Sequence, residues 1–169
     1  VLVPREPAGG VAMIAALIVL LTSLWILLGV HAVRRITRRP ASSVQTGRAV
    51  SVLKPLCGRD PSLESNLQSF FVQDLHRLEL VFGVERADDP AVPVVRALMA
   101  AHPHVAAKLV IQDSTRGQNP KVRNLLGMLP HASHDLVLIS DSNVHAPPHY
   151  VRELVELKQP GVGLVTNLF

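Results

Sequence analysis

From Val11 to Val33 the chain carries no Asp, Glu, Lys or Arg, and about 20 such residues are enough for a helix to cross the hydrocarbon core of a bilayer. That run predicts a membrane-spanning helix. A cleaved leader would show a basic region, a shorter apolar core and then a small-residue cleavage site. Here Arg5 and Glu6 cancel before the run, and Arg34, Arg35, Arg38 and Arg39 follow it. The positive-inside rule then puts the N-terminus outside and everything after Arg39 in the cytosol; a buried helix of a soluble protein is the weaker alternative. The expected order is an extramembrane segment over 1–10, a spanning helix over 11–33, a basic juxtamembrane linker over 34–48 and a domain over 49–169. Pro40 to Arg48 is polar and turn-rich, as a linker is.

The formal charge of +4 and a pI near 9.8 are compatible with nucleic-acid binding. The densest basic cluster, however, directly follows the apolar run, where a membrane surface explains it better. With aromatics at 4% and none interleaved with the basic residues, there is little for bases to stack on, so nucleic acid is set aside. Cys57 is the single cysteine, which rules out an internal disulfide and a cysteine-built metal site and fits a reducing compartment.

Past the linker, β-branched apolar runs alternate with helical patterns. Strands are expected at Ala49–Leu53, Leu78–Val84, Lys108–Gln112, Leu136–Ser140 and Gly163–Thr166, and helices at Pro61–Val72, Pro90–Ala101, Pro120–Leu129 and Pro148–Leu157. Alternation of this kind implies crossover connections and a mostly parallel sheet with helices on both faces, an α/β fold. The runs VSVL, LVFGV, KLVI and DLVLIS are nearly continuous in apolar residues, as doubly covered strands are. Asp60-Pro61, Asp89-Pro90 and Asn119-Pro120 each pair a capping residue with a proline suited to the first helical position.

In open α/β sheets the ligand sits beyond the carboxyl ends of the strands. Those ends read Lys54-Pro55-Leu56-Cys57-Gly58, Glu85-Arg86-Ala87-Asp88-Asp89, Asp113 to Lys121, and Asp141-Ser142-Asn143. Asp141 and Asn143, one residue apart on extended backbone, point the same way and form an oxygen pair suited to a hard cation; equally, they initiate a turn before Pro147-Pro148. Asp89 is well placed to cap the helix after Pro90, which is the stronger reading of Asp88-Asp89, and a carboxylate here accepting from a uracil N–H is the alternative. Lys121 and Arg123 fall in the first turns of a helix, where the macrodipole disfavours cations and a phosphate would relieve them; a solvated basic face is the other reading. No Gly-x-Gly-x-x-Gly follows the first strand, and Walker and Gly-x-Ser-x-Gly patterns are absent, which removes nicotinamide, P-loop and common hydrolase readings. The eight histidines are expected as solvated loop residues rather than metal ligands.

The segments SVLKPLCGRDPSLESNLQSFFVQD, LVFGVERADDPAVPVVRAL, GQNPKVRNLLGMLPHASHDLVLISDSN and PGVGLVTNLF carry a resemblance to the ceramide glucosyltransferase family of GT-A glycosyltransferases (family 21 type), closest to the bacterial branch associated with hopanoid glycosylation. The resemblance implies a GT-A fold behind one transmembrane helix at a bacterial inner membrane. It further implies a UDP-sugar donor, a divalent cation (Mg2+ or Mn2+), and transfer of glucose or N-acetylglucosamine to a ceramide- or hopanoid-type lipid hydroxyl with inversion. Carried over by position, Lys54, Pro55, Asp88, Asp89, Asn119, Lys121, Asn124 and Asp141 resemble the donor-binding residues, with Asp141 and Asn143 at the metal. Asn143 stands where the family motif has a second aspartate, and an amide oxygen is a weaker ligand than a carboxylate. The family's proton-accepting aspartate and its Gln/Arg-x-x-Arg-Trp motif are expected beyond Phe169, so that residues 49–169 form the donor-binding part of a longer enzyme and hold no catalytic base. A tethered nucleotide-sugar-binding module and a processive polysaccharide synthase are the alternatives.

Overall fold

The computed structural model describes residues 8–37, 47–111, 118–158 and 161–166. Contacts divide the chain into two compact units, 1–41 and 42–169. The first consists of one helix, α1 (Ala8–Thr37), whose stretch Gly10–Arg35 is long and apolar enough to cross a membrane. Its large side chains, Trp25 among them, are exposed along its length. Thr22 donates its hydroxyl to the Ile18 and Val19 carbonyls at 2.9 and 3.0 Å, so the run's one threonine is satisfied within the helix. Arg34 and Arg35 close α1, where the dipole favours cations.

The second unit is a four-stranded parallel sheet ordered β3-β2-β1-β4, built from β1 (Val50–Pro55), β2 (Leu78–Val84), β3 (Ala106–Ile111) and β4 (Val137–Ile139). The helices are α2 (Leu63–Phe71), α3 (Ala91–Ala101), α4 (Pro120–Met128) and α5 (Tyr150–Leu157), with a 3-10 turn at Leu129–His131. The chain steps outward from β1 to β2 to β3 and then crosses back over the sheet to β4. Because parallel crossovers are right-handed, reversing the direction of travel moves the connecting helix to the opposite face. Accordingly α2 and α3, joined by α5, cover Val50, Val52, Leu80, Phe82 and Val84, while α4 covers Leu53, Val81 and Val110 with Met128. The strand order reverses between β1 and β4, which opens a crevice at their carboxyl ends.

Alternation along β1 and β2 sends successive side chains to these two cores. Where α4 comes nearest to β2 the strand carries Gly83, and a Cβ there would overlap Met128 and the Asn124 carboxamide oxygen. At the opposite, amino ends of the strands, Glu79 is buried on β2 and accepts from Ser51 (2.6 Å), Ser133 (2.8 Å from both N and Oγ) and Lys108 (2.7 Å). Burial raises its carboxyl, but those donors outweigh burial and hold it at about 2, well below the usual 4.5.

Several boundaries differ from expectation. β1 extends to Pro55, so Lys54 and Pro55 belong to the strand and not to a following loop. β3 begins two residues early, at Ala106, and Gln112 lies outside the described residues, as do the expected linker's Arg38–Thr46. α2 starts at Leu63 and Asp60 caps nothing with its side chain: Leu63 N donates to the Asp60 main-chain carbonyl. α5 starts at Tyr150, past both prolines. No strand forms over Gly163–Thr166; this segment instead lines, with β4 and α5, an apolar cavity of about 420 Å3. His102 is also not simply solvated: its ring packs on Phe71 with centroids 5.0 Å apart, and its Nδ1 lies 3.0 Å from the Leu98 carbonyl.

Candidate functional site

A cavity of about 540 Å3 opens at the carboxyl ends of β1, β2 and β4, lined by residues from four separate stretches of chain. Pro55 to Cys57 with Asp60 form one wall, Glu85, Arg86 and Asp89 another, Asn119 to Lys121 with Asn124 a third, and Asp141 to Asn143 the last. Of the eight residues expected at the donor, Pro55, Asp89, Asn119, Lys121, Asn124 and Asp141 meet here, as does Asn143 of the expected metal pair. Lys54 and Asp88 do not line it. Asp88 points to solvent in a two-pronged contact with Arg86 (2.6 and 2.8 Å), whose hydrogen bonds pull its carboxyl below the usual range.

Asp89 is held by backbone amides. Gly58 N reaches both carboxylate oxygens at 3.1 Å and Ala91 N reaches Oδ1 at 2.8 Å. One carboxylate thus caps α3 and pins the loop after β1, and Gly58 can present its N–H because it adopts φ 72°, a region open to glycine. The one side chain thus both caps α3 and lines the cavity.

The start of α4 forms as the residues dictate: Asn119 Oδ1 accepts from Lys121 N (2.9 Å) and Val122 N (3.3 Å), with Pro120 in the first turn. The two cations near this terminus are each matched by a carboxylate of the chain itself. Lys121 Nζ lies 2.6 Å from Asp141 Oδ1, and Arg123 Nη2 lies 3.0 Å from Glu85 Oε1. Asn124 is buried and donates to the carbonyls of Leu56 (3.3 Å) and Gly83 (2.8 Å), tying the residue after β1 to β2 at the cavity wall; its Oδ1 has no hydrogen-bond partner.

Lys54 lies under the site. Its side chain is fully buried, with Nζ 3.6 Å from the centre of the Phe70 ring, donating to Ser140 Oγ at 3.1 Å and to the Asp141 carbonyl at 2.8 Å. Burial brings its ammonium down from 10.5 to about 7, against the opposing pull of the Asp141 charge.

From sequence, Leu56, Cys57, Glu85 and Arg86 are strand-end residues without an assigned role and Asp60 is read only as a helix cap; all five line the cavity. Their common signal was position, since each lies within a few residues of a strand's carboxyl end.

Asp141 to Asn143 form a turn, not the extended segment of the cation-pair reading, yet Asp141 and Asn143 line the same cavity and the Asp141 carboxylate pairs with Lys121. Among the described residues no cluster of three His, Cys, Asp or Glu exists. That donor set fits an ion of the magnesium type, which is held by one or two protein oxygens and completes its shell with phosphate and water.

Residues 11–169 match the Glycosyl transferase family 21 profile. The chain belongs to glycosyltransferase family 21. Among its relatives, ceramide glucosyltransferase 1 of Caenorhabditis elegans is 40% identical over 105 residues, covering 62% of this chain and 22% of that protein. The ceramide glucosyltransferase of Komagataella phaffii is 32% identical over 150 residues, covering 83% of this chain and 30% of that one. The family 21 chain therefore spans a quarter or so of the length of the relatives it matches. A solved mannosyltransferase from Pyrobaculum calidifontis, in complex with GDP-Man and Mn2+, superposes with a TM-score of 0.61 at 28% identity, over 81% of this chain and 41% of its own. Residues 1–349 of Staphylococcus aureus TarS share the fold at a TM-score of 0.50 and 17% identity, over 64% of this chain and 31% of that one. With a parallel sheet covered on both faces and glycosyltransferase neighbours, the GT-A expectation is borne out for the fold.

Proposed function

We propose that the cavity binds the nucleoside diphosphate of a UDP-sugar, and that the protein to which this chain belongs transfers the sugar, glucose or N-acetylglucosamine, to a lipid hydroxyl with inversion. The observation that carries this reading is the convergence of Asp89, Asn119, Lys121, Asn124, Asp141 and Asn143 on one cavity at the switch in strand order. The ceramide glucosyltransferase relatives support a lipid acceptor of ceramide type, and the mannosyltransferase with GDP-Man and Mn2+ supports a nucleotide-sugar donor and a divalent cation; the hopanoid acceptor rests on the sequence resemblance alone.

Each residue then has a task. Asp141 with Asn143 would hold Mg2+ or Mn2+, and such an ion, when bound, stabilises negative charge on a departing diphosphate. Lys121, released from Asp141, brings a point charge to the phosphates. The capped terminus of α4 turns its dipole toward the same space. Asp89, fixed by Gly58 and Ala91, presents its remaining acceptor capacity to the nucleobase. Glu85 holds Arg123 in place, and Asn124 fixes the spacing of the walls. Deprotonation of the acceptor hydroxyl is assigned to no residue of this chain.

The arginines that close α1 support a cytosolic location for the segment following it. Single cysteines placed at Gly10 and Gly47 in a Cys57→Ser background test this: only the Gly47 site should resist an impermeant maleimide in intact cells.

Isothermal titration of the chain in detergent tests the donor site. UDP should bind more tightly than GDP, and Mn2+ should strengthen UDP binding at least tenfold. No heat with any uridine diphosphate compound, with or without metal, sinks the proposal. A transfer assay on the longest protein carrying this chain, offering ceramide and a hopanoid polyol in competition, decides the acceptor.

A further inference from the structure

Lys54 is one of the largest fully buried side chains of the sheet unit. It occupies a β1 position on the face that α2 and α5 cover, between Val52 and Leu56 in the core cluster, where an aliphatic residue would pack without cost. Its placement requires a reason, and it contributes nothing to the cavity wall.

Its hydrogen bonds supply the reason. β1 and β4 pair in register through Leu53 and Ile139, and one further main-chain bond, Ser140 N to the Leu53 carbonyl at 3.1 Å, ends the ladder. Past that point the pairing stops, and among the described residues Lys54 alone continues the β1–β4 junction, through its side chain. Its Nζ reaches Ser140 Oγ and the Asp141 carbonyl, while Phe70 on α2 fixes it from below. The same Asp141 carbonyl closes the next turn by accepting Val144 N at 3.3 Å. Two donors therefore converge on the peptide that carries Asp141, and one of them comes from a different strand.

We infer that Lys54 is a positioning residue: from beneath the sheet it anchors the Asp141–Val144 turn, so that the Asp141 carboxylate and Asn143 amide face the cavity. This rests on the proposed reading of that cavity as a metal-assisted nucleotide-sugar site. Lys54 does not line the cavity and acts through Asp141.

The test uses Lys54→Met and Ser140→Ala in the chain in detergent, with three measurements: thermal melting, hydrogen exchange of the segment 140–146 without ligand, and Mn2+ affinity from the paramagnetic resonance of free Mn2+ in the presence of UDP. Lys54→Met retains the hydrocarbon volume of the lysine and removes a buried ammonium, an exchange that is often neutral for stability. The melting temperature and the exchange of β2 should hold, while exchange at 141–144 speeds up at least tenfold and the Mn2+ Kd rises at least tenfold. Ser140→Ala should shift both readouts in the same direction by a smaller factor. Unchanged exchange at 141–144 in folded Lys54→Met overturns the inference, and should that variant fail to fold, unchanged exchange in Ser140→Ala overturns it. Wild-type chain that takes up neither UDP nor Mn2+ refutes the reading of the cavity; the ligand-free exchange arm still decides whether Lys54 anchors the turn.

Discussion

Asp89 and Asp141 line the same cavity but are held in opposite ways, and their alanine variants should separate accordingly. Asp89 takes hydrogen bonds from two backbone amides, one of them at the start of α3. Asp89→Ala should cost about 1–2 kcal/mol of stability, as lost caps do, visible as a lower denaturant midpoint. Asp141 pairs with Lys121 in the open, half-exposed on both sides, and exposed pairs contribute at most about 1 kcal/mol. Asp141→Ala should leave the melting temperature nearly unchanged while weakening Mn2+-dependent UDP binding about a hundredfold in calorimetry. The same pair predicts linkage. On the proposed reading, a divalent cation at Asp141 would free the Lys121 ammonium for phosphate, so UDP and Mn2+ should each tighten the other by an equal factor. Lys121→Met should reduce that factor toward one.

Among the elements, α4 crosses β2 most tightly at Gly83, beside the cavity-lining Asn124. Gly83→Ala would drive a methyl group into Met128 and Asn124, and overpacking of this kind costs about 1–3 kcal/mol. Since Asn124 also ties Leu56 to Gly83, the variant should lose UDP affinity beyond what its melting shift explains. Legibility from sequence followed the range of the interactions. The Asn119 cap was readable because its partners are two and three residues away, and β2 was placed to the residue because both its faces are covered. The cap expected of Asp60 failed because Pro61 and Ser62 form a turn before α2 begins. The depth of Lys54 was invisible, since it depends on Phe70 from the next helix and on Ser140, far along the chain. The segment 163–166 has strand-like residues, but strand formation needs a partner, and in the structure it faces β4 across a cavity without pairing to it.

For the molecule as a whole, the two ends of the sheet divide the work. The carboxyl ends hold the cavity, and the amino ends hold Glu79 with its four donors, a fastening that joins β1, β2, β3 and the segment before β4. Its carboxyl is depressed from 4.5 to about 2, so the stabilisation it provides is complete above about pH 4.5 and is lost as pH falls toward 2. Glu79→Gln should flatten the melting temperature across that acid window while lowering it at neutral pH. The two lateral edges of the sheet also differ. β3 carries Lys108 in mid-strand, the kind of charge that discourages edge pairing. β4 offers Val137, Leu138 and Ile139, with Ile139 55% exposed and no strand on its outer side among the described residues. Such a border is adhesive: concentrated preparations of this chain should self-associate through it, with light scattering that rises with concentration and subsides in Ile139→Lys.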